Sequence, residues 1–296
     1  MKQKIIFDCD NTMGIADCDV DDGLALIYLL GQGAEICGIT TTYGNSDINT
    51  VYPNTIRLLK DLGRSDIPVL KGCGGRQDLL SEATDFILDM VHAYPGNIAI
   101  LGTGSLTNLH AAYMQDNQLF DQISEVVLMG GITEELIING RHLQELNFSC
   151  DPAATACVLH NAGNLSVITG NNCLDAYFSY QEFAGRLRTS ERKIGQYIYD
   201  QCSYWFENMT ARFELDGFHN WDVVAAAYLI NPMLFTPVSF PVIPNLADLE
   251  KGLISSKTAA LDGSDSQHFR RINLPVIREL AAFKEAVYSS WLEVDI

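Results

Sequence analysis

Two hydrophobic periods alternate along the first half of the chain. Short apolar runs at 4–9, 35–42, 67–70, 97–102, 125–129 and 165–169 read as strands, bounded by glycine and polar turn residues. Between them, 22–32, 47–62, 80–93, 106–115 and 152–161 place apolar residues at helical spacing. Strands separated by helices of ten or more residues predict an α/β fold of the Rossmann-like kind, a mostly parallel central sheet flanked by helices. In such sheets ligands bind beyond the carboxyl ends of the strands. The segments that leave successive strands carry Asp10, Asp21 and Asp22, then Gly44 and Asn45, then Gly102, Thr103 and Gly104, then Gly130 and Gly131. Four strand ends are therefore expected to meet in one crevice.

Farther along, Asp151-Pro152 has the form of a helix cap followed by a proline in the first turn. The stretch 190–214 carries Tyr197, Tyr204, Trp205, Phe206 and Phe213 between charged residues, which marks it mainly as packing surface. It leads into Asp216-Gly217-Phe218-His219-Asn220-Trp221-Asp222, after which the chain turns apolar. Asp222 thus stands in the first turn of a buried helix, where free backbone amides favour a carboxylate. The expected organisation is a single domain over 1–296 with a helical lid around 190–222.

The acidic opening changes the picture most. Phe7-Asp8-Cys9-Asp10 and Asp17-Cys18-Asp19-Val20-Asp21-Asp22 bring six carboxylates close behind the first apolar run, and no Lys or Arg lies between residues 5 and 56. Unpaired carboxylates are too costly to bury in a dry core, so they face water, pair with bases, or surround a cation. Oxygen donors of this kind suit a hard divalent ion, calcium or magnesium. The competing explanation is a solvated acidic loop. A formal net charge of -18 argues against nucleic acid or an anionic membrane as partner and leaves a small neutral substrate open. No apolar run approaches membrane-span length, and the amino end enters a strand at once, which predicts neither a membrane segment nor a secretory signal. The eight cysteines include no Cys-x-x-Cys pair; Cys9, Cys37 and Cys157 sit in apolar segments, so free thiols in the cytoplasm are expected.

With these features in place the chain resembles the calcium-dependent nucleoside N-ribohydrolases of the inosine-uridine-preferring type. The resemblance runs from Ile5 to about Phe235. It rests on the order and spacing of Asp8-Cys9-Asp10 with Asp21-Asp22, Thr40-Thr41-Thr42-Tyr43-Gly44-Asn45, Gly102-Thr103-Gly104-Ser105-Leu106-Thr107-Asn108, Met129-Gly130-Gly131, Glu145-Leu146-Asn147 and Trp221-Asp222. It implies hydrolysis of a ribonucleoside to base and ribose, with Ca2+ held by Asp10, Asp22, the Thr103 carbonyl and Asp222, and Asp8 close by. It also implies Asp10 as general base, Asp21, Asn45 and Asn147 on ribose hydroxyls, Glu145 at the 5'-hydroxyl, and a homodimer or homotetramer. The chemistry agrees: a breaking N-glycosidic bond develops positive charge on the sugar, which nearby carboxylates stabilise.

Three departures from the family pattern stand out. Asn11 to Val20 fill a stretch where the family has only a few residues. In the altered loop after Gly131, Asn139 is a candidate for the family's ribose-binding Asn, and Asn139-Gly140 equally favours a tight turn. Trp221 stands where such members carry a histidine that protonates the leaving base. An indole N–H donates only a hydrogen bond, so Trp221 can stack on a base but not protonate it. His219 is the candidate acid in its stead, the alternative being a surface or supporting histidine, and His142 is a weaker one. Two other functions remain in view. Asp8-Cys9-Asp10-Asn11-Thr12 also fits the opening of magnesium-dependent haloacid-dehalogenase-like phosphatases, although no convincing lysine and paired-carboxylate motif follows it. A non-catalytic nucleoside or sugar binder would retain the fold without turnover.

Overall fold

The computed structural model describes residues 3–255 and 270–296. Its central element is an eight-stranded sheet in the order Ser239–Val242, Arg270–Asn273, Leu165–Ile168, Glu125–Met129, Ile98–Gly102, Lys4–Cys9, Glu35–Thr41, Val69–Leu70. Every neighbouring pair is parallel except Ser239–Val242 on Arg270–Asn273. The six expected strands are all present, although the one at 67–70 shortens to Val69–Leu70. The two strands beyond the apolar pattern of the first half supply the antiparallel edge.

Period-2 alternation sorts side chains to the two faces of the sheet. In the first strand Ile5, Phe7 and Cys9 join a core built with the helices Asp21–Gly31, Lys193–Phe213, Trp221–Ile230 and Leu280–Glu293. Ile6 faces the opposite core, with Ile98, Ile100, Leu106 and Leu109. The helix Asp21–Gly31 approaches Leu280–Glu293 so closely that a Cβ on Gly31 would fall 1.8 Å from the Ser290 carbonyl oxygen, while the Trp291 indole donates to the Leu24 carbonyl at 2.9 Å. This contact seats the first turn of Asp21–Gly31, and with it two carboxylates, over the end of the sheet.

Because the neighbours of Lys4–Cys9 run parallel to it, their carboxyl ends share one edge. Asp8 lies beside Thr40 on one side and Gly102 on the other. The stretch 11–20 is a loop rooted in the fold: Met13 is fully buried, and its carbonyl accepts from Arg57 Nη2 at 2.7 Å and Asn54 Nδ2 at 3.2 Å. All eight cysteines are free thiols. Among the described residues no helix is long and apolar enough to cross a membrane.

Candidate active site

The strand ends form the floor of the site. Asp8 follows Ile6 on the same face of the sheet and is wholly buried. Its Oδ1 accepts from Thr40 Oγ1 at 2.6 Å and Asn108 Nδ2 at 2.7 Å, whereas its Oδ2 has no partner among the described residues. Asn108 itself is fixed from both sides, donating also to the Thr41 carbonyl and accepting from Cys73 N. Asp10, equally buried, accepts from the Asn45 backbone N–H, and Asn45 Nδ2 lies 3.4 Å from its Oδ1. The backbone presses against this carboxylate. A Cβ on Gly44 would fall 2.0 Å from Asp10 Oδ2, and one on Gly104 3.2 Å from Asp10 Cβ.

The second pair comes from the first turn of the helix Asp21–Gly31, where the free amides favour acidic residues. Asp22 Oδ1 accepts from Thr103 Oγ1 at 2.6 Å. Asp21 Oδ2 accepts from the backbone N–H of Asp222, 201 positions away and itself in the first turn of Trp221–Ile230. One carboxylate oxygen from each of Asp21, Asp22 and Asp222 lies within 4.8 Å of the others.

Burial pushes Asp8 up to about 7 and Asp10 and Asp21 to about 6, and with repulsion from neighbouring carboxylates holds Asp22 and Asp222 well above the usual carboxylate range. In Asp8 the hydrogen bonds from Thr40 and Asn108 oppose that rise. The donor set fits a hard divalent cation: three clustered buried carboxylates and, among the described residues, an unpartnered oxygen on Asp8 and no Lys or Arg bonded to any of them. Asp21, expected on a ribose hydroxyl, belongs to the same oxygen cluster as Asp22 and Asp222. Thr103 brings its hydroxyl as well as its carbonyl, and the carbonyl accepts from Asn147 Nδ2 at 2.9 Å.

Above the carboxylates opens a cavity of about 490 Å³. Asp21, Asn45, Thr103, Glu145, Asn147 and Asp222 are among its polar lining residues, and Trp205, Met209, Phe213, Phe218, His219 and Trp221 line it as well. Glu145 is tied to the backbone here, its two oxygens accepting from Gly131, Phe148 and Ser149 N–H groups at 2.8–2.9 Å. His219 ends the strand Gly217–His219, its ring 5.1 Å from that of Trp221 and 5.3 Å from that of Tyr177. Burial pushes its imidazole down to about 4, against the hydrogen bond to Leu174, so the ring is neutral at pH 7. His142 also reaches the lining but is exposed and 3.7 Å from Glu135.

Asn139 is not brought to the cavity. With Gly140 it forms the tip between Leu136–Ile138 and Arg141–Leu143, both residues having positive φ, 49° and 76°. Its amide donates to the Phe213 carbonyl at 2.8 Å and so ties the hairpin to the end of Lys193–Phe213. The turn chemistry of Asn-Gly prevails at this position. Asn108, Thr40 and the Thr103 hydroxyl are partners of the carboxylates that no local pattern in the sequence marks. Asn108 lay inside a motif already singled out, but its contact with Asp8 spans 100 positions.

Comparison with known proteins agrees with this geometry. The family model of the inosine-uridine preferring nucleoside hydrolases matches residues 5–276. A probable uridine nucleosidase 2 of Oryza sativa subsp. japonica is 24% identical over 265 residues, covering 79% of this chain and 76% of that protein. Among solved structures, a plant nucleoside hydrolase superposes with a TM-score of 0.85 at 21% identity, over 99% of both chains. A purine-preferring ribonucleoside hydrolase from Gardnerella vaginalis does so with 0.82 at 22%, again over 99% of both. With a match that spans nearly the whole chain and a carboxylate cluster at the strand ends, the protein belongs to the inosine-uridine preferring nucleoside hydrolase family and is a hydrolase of N-glycosidic bonds.

Proposed function

We propose that this enzyme hydrolyses a ribonucleoside to free base and ribose, with Asp10 as general base and calcium as the ion. The observation that carries the reading is the set of buried carboxylates, Asp21, Asp22 and Asp222 clustered with Asp10 and Asp8 beside them, at a cavity also lined by aromatic side chains. Asp10, Asp22, Asp222, the Thr103 carbonyl and, through its free oxygen, Asp8 are the groups that would hold the ion, and Asp21 joins them as ligand or ribose partner. When bound, calcium would neutralise the crowded carboxylates and lower the pKa of nearby water.

The remaining steps belong to the chain's own side chains. The ribose lies among Asp21, Asn45, Asn147 and Glu145. The base stacks on Trp221. As the C–N bond breaks, its electrons leave with the base, and the positive charge on the sugar is stabilised by the carboxylates beneath it. Water attacks the anomeric carbon while Asp10 takes its proton. His219, held neutral, acts on the leaving base by hydrogen bonding, alongside the Trp221 stack.

Residues 1–296 are read as one catalytic domain, with Lys193–Phe213 as a wall of the substrate cavity. The free thiols support a cytoplasmic location, and the family reading brings with it a homodimer or homotetramer. The test is release of reducing sugar from purine and pyrimidine ribonucleosides by protein stripped with chelator and then restored with calcium. Calcium-dependent release is expected; metal binding without release from any nucleoside would favour the non-catalytic binder.

A further inference from the structure

We propose, on the nucleoside hydrolase reading of the site, that Asn139 and Arg141 are positioning residues: from the tip of the hairpin Leu136–Leu143 they latch the end of the helix Lys193–Phe213 and so hold two walls of the substrate cavity at a fixed separation before the nucleoside arrives.

Both elements line the cavity. The hairpin contributes Leu136, Ile138, His142 and Leu143, and the helix Trp205, Met209, Arg212 and Phe213. Alternation along Leu136–Ile138 buries the first and third residues and leaves Ile137 exposed, so the face of the hairpin turned to the cavity is apolar. Asn139 and Arg141 are exposed and stand outside the lining.

A hairpin this short supplies little stability of its own. Its strands are three residues each and form a two-stranded sheet apart from the central one, an arrangement that is marginal in water. Its base is fixed, with Thr133 N–H and Oγ1 donating to Asn171 Oδ1 at 2.8 and 3.2 Å and Glu145 accepting from the Gly131, Phe148 and Ser149 N–H groups. The tip needs another anchor, and the helix end offers one. Glu214 N–H goes to the Thr210 carbonyl at 3.0 Å and Leu215 N–H to that of Met209, which leaves the carbonyls of Ala211, Arg212 and Phe213 beyond the last helical donors. The hairpin supplies donors to all three. Asn139 Nδ2 donates to the Phe213 carbonyl at 2.8 Å and lies 3.4 Å from that of Glu214. Arg141 Nη1 donates to the Arg212 carbonyl and lies 3.4 Å from that of Ala211, while its Nη2 pairs with the Glu214 carboxylate. A positive charge is also the one favoured at a helix C-terminus. Among the described residues these are the hydrogen bonds that join residues 135–144 to another element. The Asn-Gly turn that keeps Asn139 out of the cavity thus sets its amide on the helix instead.

Without the latch, the hairpin and the helix end sample other separations, and nucleoside binding must draw on the latched fraction alone. KM then rises by the inverse of that fraction, while the bound enzyme turns over as before.

The experiment measures KM and kcat of the calcium-loaded enzyme on whichever of inosine, adenosine, uridine and cytidine the wild type hydrolyses. The variants are Asn139→Asp, which tolerates the φ of 49° but has no donor when ionised, Asn139→Gly, and Arg141→Ala. KM is expected to rise about tenfold in each, the scale of one or two hydrogen bonds, with kcat within about threefold of wild type. Amide hydrogen exchange across residues 135–144 of the free enzyme should quicken in the same variants by a similar factor. A KM within about twofold of wild type, or a fall in kcat at constant KM, overturns the proposal and leaves the hydrolase reading intact. Exchange that does not quicken overturns it as well. Failure of the wild type to hydrolyse any of the four nucleosides overturns the hydrolase reading and this inference with it. Should one variant fail to fold, the other two decide.

Discussion

The close approach of Gly44 to Asp10 gives the sharpest test. In Gly44→Ala the new Cβ would stand 2.0 Å from Asp10 Oδ2, where ordinary contact begins at 3.4 Å, so the carboxylate must retreat by about 1.4 Å. It has little room to do so. Gly104 packs against its other side, with a would-be Cβ 3.2 Å from Asp10 Cβ and Cγ, and the Asn45 N–H fixes the same oxygen. A displacement near 1 Å of a group that must meet a reacting water costs about a hundredfold in rate, equal to about 2.7 kcal/mol in the barrier. Overpacking of a buried site adds a stability loss of about 1–3 kcal/mol. The assay is kcat for ribose release at saturating nucleoside and calcium, with the thermal midpoint measured alongside. Gly185→Ala serves as control: Gly185 is exposed in the helix Tyr180–Arg188 with nothing within 4 Å of the added Cβ, and alanine there should stabilise by about 0.5–1 kcal/mol at unchanged kcat. If Gly44→Ala keeps kcat within about threefold of wild type while folded, a rigid cradle for Asp10 is refuted.

Three further outcomes are expected. Asp10→Asn should retain the fold and lose turnover by about 10²–10⁴-fold, the usual contribution of a general base, and wild-type turnover in that variant would remove Asp10 from the role. Chelation should lower the thermal midpoint, since an ion present at 100 times its Kd stabilises by about 2.7 kcal/mol; Asp222→Asn should blunt that shift, and a midpoint indifferent to calcium would count against an ion among these carboxylates. His219, with a folded pKa of about 4 below the ordinary 6.5, binds fewer protons folded than unfolded between those values. Its contribution is therefore full above pH 6.5 and lost as pH falls toward 4, by about 3 kcal/mol in total. Unfolding free energies of wild type and His219→Phe should diverge by that amount across the window, and a constant difference would show that His219 is not buried neutral.

Much of the fold was written in local pattern. The alternation of short apolar runs with helical repeats is enough to produce the parallel sheet, because each run can bury both faces only between helices. The same pattern points to the strand ends as the site, and the run of carboxylates without nearby bases calls for a cation or water there; the choice of Asp10, Asp22 and Asp222 among them rests on the family resemblance. Asn139-Gly140 shows the limit: resemblance and turn propensity pulled in different directions there, and the backbone's need for positive φ at two successive residues prevailed.

What the tertiary structure decided is which distant groups meet. Asn108 reaches Asp8 across 100 positions, Asp222 offers its N–H to Asp21 across 201, and Tyr204 closes the loop 11–20 from a helix far downstream. None of these pairings has a period or a spacing, because each depends on how helices pack over the sheet rather than on the conformation of any one segment. The neutral state of His219 is of the same kind. The residue type permits a proton near neutral pH, and only burial against Tyr177 and Trp221 takes it away. Sequence determined the chemical groups and the edge of the sheet where they gather; packing determined their distances, their charge and the shape of the cavity, since those follow from the desolvation and contact that folding alone creates.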